Sequence, residues 1–158
     1  MDEALKQKIV SLLDGHRTMR IATLRLDGWP QTTSVGYAND GLAIYFLCGK
    51  DSQKAANLAH DDRVSLAIDD DPPQVMEIKG VSVAGHARPV ANEAEGAKAL
   101  ALLFARYPAQ AGVTFALPSP ADVAIFRVTP TVISVLDYTL GFAHTDLVHC
   151  DVEAARPQ

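Results

Sequence analysis

The stretch Gly49-Lys50-Asp51-Ser52-Gln53-Lys54 holds the residue types from which a phosphate site is built. It joins an apolar strand to a predicted helix. Ser52 is a good N-cap. Lys54 then falls in the first helical turn, beside free backbone N–H groups and the positive end of the helix dipole. A cation there is misplaced by roughly a few tenths of a kcal/mol. A bound anion reverses the sign. Backbone N–H groups, the Ser52 hydroxyl, the Gln53 amide and the Lys54 ammonium can together hold a phosphate. The alternative is a lysine that extends into solvent or pairs with Asp51.

Other chemistry is sparse. There is no GxGxxG, P-loop, HExxH or GxSxG pattern. Of the five histidines only His144 and His149 lie close in sequence. With Asp146, Cys150 and Asp151 they suggest a metal site, but their spacing does not put them on one helix or strand face, and a polar tail explains them equally well. No metal is expected. The two cysteines, Cys48 and Cys150, form no CxxC and imply neither a disulfide framework nor a zinc cluster. A net charge of −5 argues against a nucleic-acid surface, which needs a basic stripe. The first residues, Met1-Asp2-Glu3-Ala4-Leu5-Lys6, lack a basic-then-apolar leader, and no apolar run approaches the ~20 residues of a membrane helix. A cytoplasmic protein is the expectation.

The elements that must position these residues read as follows. Leu5, Ile9, Leu12 and Leu13 recur at helical spacing, and Gly15 follows as a stop. Residues 19–26 and 31–38 read as strands joined by the turn Asp27-Gly28-Trp29-Pro30. Asn39-Asp40-Gly41 is a second hairpin turn. Residues 42–48 are apolar without alternation, so this strand should be covered on both faces, by the core and by either a partner subunit or the protein's own helix. Ser52 to His60 is a short helix and 63–68 a strand. Asp69-Asp70-Asp71-Pro72-Pro73 is a solvated loop. A long strand lies within 75–89, with Gly80 and Gly85 as bulges or close-approach points. Asn92-Glu93-Ala94-Glu95 reads as a capping box opening a helix that runs to about Arg106. A loop with Pro and Gly follows. Residues 123–128 and 131–136 are two last strands separated by Pro130, and the tail from Tyr138 on carries no clear element.

Six or seven strands, hairpin-linked at first, with helices inserted singly, do not alternate as a Rossmann sheet would. The expected fold is α+β: one domain over residues 1–158, an antiparallel split β-barrel with a few peripheral helices.

Three stretches carry a resemblance to a known family. Ile21-Ala22-Thr23-Leu24-Arg25-Leu26-Asp27-Gly28-Trp29-Pro30-Gln31 is close to an "ATxxxDGxPQ" hairpin. Residues 45–58 contain "S-x-K-xx-N-L" across a strand, a loop and a helix. Asp62-Arg63-Val64-Ser65-Leu66 matches the next strand. In order and spacing the chain resembles the pyridoxamine 5′-phosphate oxidase-like FMN-binding split-barrel family over residues 19–68. The later strands fit in order and length but not in motif.

The resemblance implies FMN at a homodimer interface. The lysine matching Lys54 holds the phosphate, with the position of Gln53 beside it. The strand matching Thr32, Thr33, Ser34, Val35, Gly36 and Tyr37 runs along the flavin, and Leu47 and Cys48 lie near it. There are departures. True oxidases of pyridoxamine phosphate carry arginines where Thr32 and Gln53 stand, a lysine where Tyr37 stands, and an Arg-rich final strand. Here the chain ends His149-Cys150-Asp151-Val152-Glu153-Ala154-Ala155-Arg156-Pro157-Gln158. Vitamin B6 oxidation is therefore not expected.

The leading expectation is a flavin-dependent oxidoreductase acting on a small molecule, with no side chain required as acid or base. The alternatives are an F420-dependent reductase of the same fold, and a non-catalytic flavin or haem binder with His144 or His149 as iron ligand. The tail residues Phe142 and His144, after the flexible Gly141, are expected to close one side of the partner's flavin pocket. The alternative is that Phe142 anchors the tail to the barrel and His144 faces solvent.

Overall fold

A computed structural model describes residues 1–107, 119 and 121–150. The loop expected after Arg106 and the residues beyond Cys150 lie largely outside these. Helix α1 (Glu3–Gly15) is followed by strands β1 (Thr18–Leu24), β2 (Pro30–Asp40) and β3 (Ala43–Gly49). Helix α2 (Gln53–His60), β4 (Arg63–Asp69), β5 (Lys79–Pro89), helix α3 (Glu93–Arg106), β6 (Val123–Asp137) and β7 (Thr145–His149) complete the order.

Every strand pairing is antiparallel. The order β3-β2-β1-β4-β5-β6 closes through a β3–β6 pairing into a six-stranded barrel, and β7 adds to the edge of β6. The expected antiparallel split barrel is thus the fold found. Period-2 alternation turns Met19 and Ile21 of β1, Leu66 and Ile68 of β4, and Val81 and Val83 of β5 inward. Ile9 and Leu13 of α1 join the same core. Fully burying side chains of this size contributes about 1.5–3 kcal/mol each.

The hairpin turns are those the sequence asks for. Gly28 and Gly41 take φ of +83° and +58°, conformations that side-chain-bearing residues rarely adopt. Gly85 answers a different constraint. A Cβ there would meet the Thr129 carbonyl oxygen at 2.5 Å, so two backbones come together where only glycine fits.

That contact lies at the main departure from the sequence reading. Residues 123–137 form one strand, not two separated by Pro130. Gly85 pairs with Pro130 while Ala84 pairs with Val132, so Thr131 is an extra residue in a β-bulge. The inward set shifts phase across it, from Phe126, Val128 and Pro130 to Ile133, Val135 and Asp137. A phase break beside a proline reads in sequence as a strand end. Two smaller differences follow. Residues 75–77 are a 3₁₀ turn and β5 begins at Lys79, and the tail contains β7.

The helices are fixed by caps and by one arginine. Asp2, Ser52 and Asn92 accept backbone N–H groups at the starts of α1, α2 and α3. Only half of the expected capping box forms at α3, because the Glu95 carboxylate accepts from the Tyr45 hydroxyl at 2.9 Å instead of reaching back. Tyr45 is on the outward face of β3, and α3 covers it. The second cover expected for strand 42–48 is therefore the protein's own helix at this point. Helix α1 has no basic residue in its last turn. Arg106, at the end of α3, supplies one and donates to the carbonyls of Leu13, Asp14 and His16 at 3.4, 2.6 and 2.9 Å.

On the other side, Lys8 of α1 reaches Asp137 at 2.8 Å, and Asp137 also accepts from the Thr139 hydroxyl. The Lys8 bond, then the Thr139 bond, hold the Asp137 carboxyl down at about 2 from its ordinary 3.8. A depressed carboxyl stabilises the fold above its unfolded value, and that contribution is lost as pH falls through the folded value. The stability gap between the parent and Asp137→Asn should therefore be full above pH 3.8 and close as pH falls toward about 2. Denaturant unfolding across that window checks it; a gap independent of pH would refute it.

Candidate functional site

The β2–β3 pairing runs only from Tyr37↔Phe46 to Asp40↔Ala43. Beyond it the two strands part. Residues 30–36 of β2 pair only with β1, and 47–49 of β3 only with β6, among the described residues. The barrel is split there, and free backbone edges flank the opening. The chain leaves β3 at Gly49 and turns into α2, so Ser52, Gln53 and Lys54 follow directly on one side of the split.

Side-chain directions on β2 follow from alternation. Val35 and Tyr37 pack on the core, so Thr32, Ser34 and Gly36 point outward. Thr32 and Ser34 are exposed. Thr33 lies with the inward set, and its hydroxyl oxygen is buried without a hydrogen-bond partner. Buried hydroxyls are rarely left unpaired, and one costs about 1–3 kcal/mol. On β3, Phe46 stacks on Phe126 at 5.4 Å, and Cys48 packs beside the core on the same face.

Lys54 extends back over this face. Its ammonium is 5.9 Å from the centre of the Phe46 ring, a cation–π distance. Burial holds its pKa below the ordinary lysine value, with the Cys48 sulfur opposing in part. Among the described residues it meets no carboxylate, and the alternative pairing with Asp51 is not formed. A half-buried cation with no counter-charge, at a helix start with free N–H groups, is an anion site in waiting.

Two expected residues are otherwise engaged. A Cβ on Gly36 would come within 3.0 Å of the Tyr107 hydroxyl, so the end of α3 covers that position. Tyr37 is wholly buried, and its hydroxyl donates to the Leu13 carbonyl at 2.6 Å. Burial pushes its pKa upward. Only the backbone of these two remains to face a ligand, because side chains from α3 and α1 occupy the space. Nothing in strand periodicity reports such long-range cover.

Phe142 and His144 do not join the site within one chain. They follow β6, at the opposite end of that strand from Ala124, the residue that pairs with Cys48. Phe142 is 75% exposed and touches Tyr138 edge-on at 5.4 Å, so it does not anchor the tail into the barrel either. His144 faces Asp146 at 3.4 Å.

A further set of residues belongs to the site. Asn57, 1% exposed, donates to the Thr23 hydroxyl at 2.9 Å and to the side-chain amide oxygen (Oε1) of Gln31 at 3.1 Å. It accepts from the Gln53 amide at 2.9 Å. The signal in the sequence is an asparagine four residues after Gln53, on the apolar side of an amphipathic helix.

A six-stranded antiparallel barrel opened between β2 and β3, with a lysine-bearing helix start beside the opening, defines a split-barrel protein. The chain belongs to the pyridoxamine 5′-phosphate oxidase family, whose model matches residues 5–137. It is 31% identical over 91 residues to general stress protein 26 of Bacillus subtilis (strain 168), covering 58% of this chain and 63% of that one. A structure described as an F420 reductase is 30% identical and superposes with a TM-score of 0.61, covering 78% of this chain and 94% of the other. A heme binding protein from Mycobacterium smegmatis reaches a TM-score of 0.74 at 20% identity, covering 98% of this chain and 61% of that one. The last shows shared fold alone. The chain thus spans under two thirds of the stress protein and of the heme binding protein. No helix among the described residues is long and apolar enough to cross a membrane.

The isolated charge of Lys54 yields a test that needs no ligand. Lys54→Met keeps the stem over Phe46 and removes the half-buried cation. In ligand-free protein the urea midpoint should rise. A lower midpoint would mean that the ammonium has a stabilising partner.

Proposed function

We propose that this chain is a flavoprotein that holds FMN at the split between β2 and β3 and acts as an oxidoreductase on a small molecule. The observation that carries the reading is Lys54, a half-buried ammonium at the start of α2 with no carboxylate partner among the described residues. The residues fit a phosphate on this chain's own chemistry. Lys54 supplies charge, the Ser52 hydroxyl and Gln53 amide supply hydrogen bonds, and the remaining N–H groups of the first turn of α2 add donors. The exposed Thr32 and Ser34 offer polar contacts on the outward face of β2, and the Thr33 hydroxyl, unpaired among the described residues, offers one on the inward face. Bound FMN supplies the electron exchange; the protein binds and orients it and shapes access for the substrate. Oxidation of pyridoxamine phosphate is not part of the reading, because Thr32, Gln53 and Tyr37 stand where that activity's cationic residues are expected.

In this reading the site is completed by a second copy of the chain over the outward face of β2. The exposed Leu26 and Trp29 at the adjacent hairpin tip offer apolar area for that contact. Phe142 and His144 then belong to the partner's pocket, which agrees with their distance from the site in their own chain. Sedimentation at micromolar concentration should show a dimer, and a monomer alone would remove the shared site.

F420 is the second reading, favoured by the 30% identity to the F420 reductase. Its longer acidic tail would extend from Lys54 toward Lys50. Haem finds less support, since His144 is engaged with Asp146 and the heme binding protein shares only the fold. The absorption spectrum of the purified protein separates the three. For FMN, Lys54→Ala should weaken binding by about 1.5–3 kcal/mol, the scale of a charge-assisted hydrogen bond. Unchanged affinity by fluorescence titration would overturn the phosphate assignment.

A further inference from the structure

The Asn57 network has a feature that packing alone does not require. A fully buried amide in the middle of a short helix loses hydration that three good hydrogen bonds only repay, and an apolar residue of similar size would fill the space without that demand. The partners also share a direction. Thr23 is on β1, Gln31 is on β2 next to Thr32, and Gln53 is in the first turn of α2 beside Lys54. Asn57 lies one helical turn after Gln53 and Lys54, so its side chain is on their side of α2. Its three bonds tie that first turn to both strands that carry the flank of the split. Thr23 is itself 2% exposed, so the anchor on β1 is rigid.

We propose that Asn57 is a positioning residue: it holds the first turn of α2 against β1 and β2, and so fixes where Lys54 and Gln53 meet a phosphate. The inference rests on the phosphate reading of the site. Gln53 donates to Asn57 at 2.9 Å, so its amide is oriented by the network. A fully satisfied polar network of this kind rigidifies what it links. Among the described residues Lys54 has no hydrogen-bonding partner to hold it, and its placement depends on the backbone of that turn. Asn57 itself, shut away under the helix, touches no ligand.

The test compares FMN with riboflavin, which differ only in the phosphate. Both affinities are measured on the full chain, so a loss of folded protein lowers them together and leaves their ratio unchanged. The parent should prefer FMN by at least about tenfold, the worth of one charge-assisted hydrogen bond. Asn57→Ala should cut that preference by about three- to tenfold, the scale of a neutral hydrogen bond, with riboflavin affinity held. Thr23→Val keeps the shape and removes one anchor; it should shift the ratio in the same direction and serves if Asn57→Ala does not fold. A parent preference that survives in the variant measured overturns the positioning role and leaves the phosphate site standing. A parent with no preference between the two flavins overturns the phosphate reading, and the positioning role with it.

Discussion

Strand β6 must satisfy three neighbours with one backbone. Along one edge it pairs with β5; along the other it pairs first with β3, which closes the barrel, and then with β7. A regular strand of this length would twist its inward face away from the core before it reached the second partner. The bulge at Thr131 resets the phase, so apolar side chains face inward at both ends. Pro130 has no N–H to leave unpaired where the partner on that edge changes, and Gly85 lets the β5 backbone come close enough to follow the bend. Closure of the barrel depends on this short passage, and so does the split, because β3 follows β6 rather than β2 over its last residues.

The candidate site is a by-product of that choice. Once 47–49 of β3 are held by β6, the edge of β2 from 30 to 36 has no strand to pair with, and α2 starts in the gap. Polar groups then gather where a barrel would otherwise be sealed: the Thr33 hydroxyl, the Lys54 ammonium and the Asn57 amide. Each is costly in an apolar setting. Asn57 is repaid within the chain. Among the described residues Thr33 and Lys54 are not, and that difference separates the scaffold of the candidate site from the groups open to a ligand.

Much of this was legible in the sequence because it is local. Gly28 and Gly41 mark turns whose φ only glycine takes readily, Ser52 caps its own helix, and Lys54 is misplaced relative to a dipole its neighbours create. What escaped is non-local. The bulge looks like a strand end unless β5 is laid beside it. β7 is short, with Val148 alone buried, and needs the edge of β6 to exist at all. Gly36 and Tyr37 belong to β2 by pattern, and the family resemblance put them along a cofactor, yet Tyr107 and Leu13, distant in sequence, occupy their side-chain surroundings. The continuous apolar run of β3 correctly called for a second cover, but the pattern could not choose between a partner and α3.

The guanidinium of Arg106 ties the two ends of the described barrel chain together in time as well as in space. The Leu12 and Leu13 carbonyls at the end of α1 are met by His16 and Tyr37, but those of Asp14 and His16 wait for Arg106 until α3 has been made and docked. In synthesis α1 therefore lacks this part of its terminus until the ribosome has added the 92 residues that separate Asp14 from Arg106. Until then its C-terminal turn frays, and its apolar face waits for a core built from strands not yet complete. Folding of this domain on the ribosome is thus held to a late closure, in which α1, made well before α3, settles only once α3 has docked.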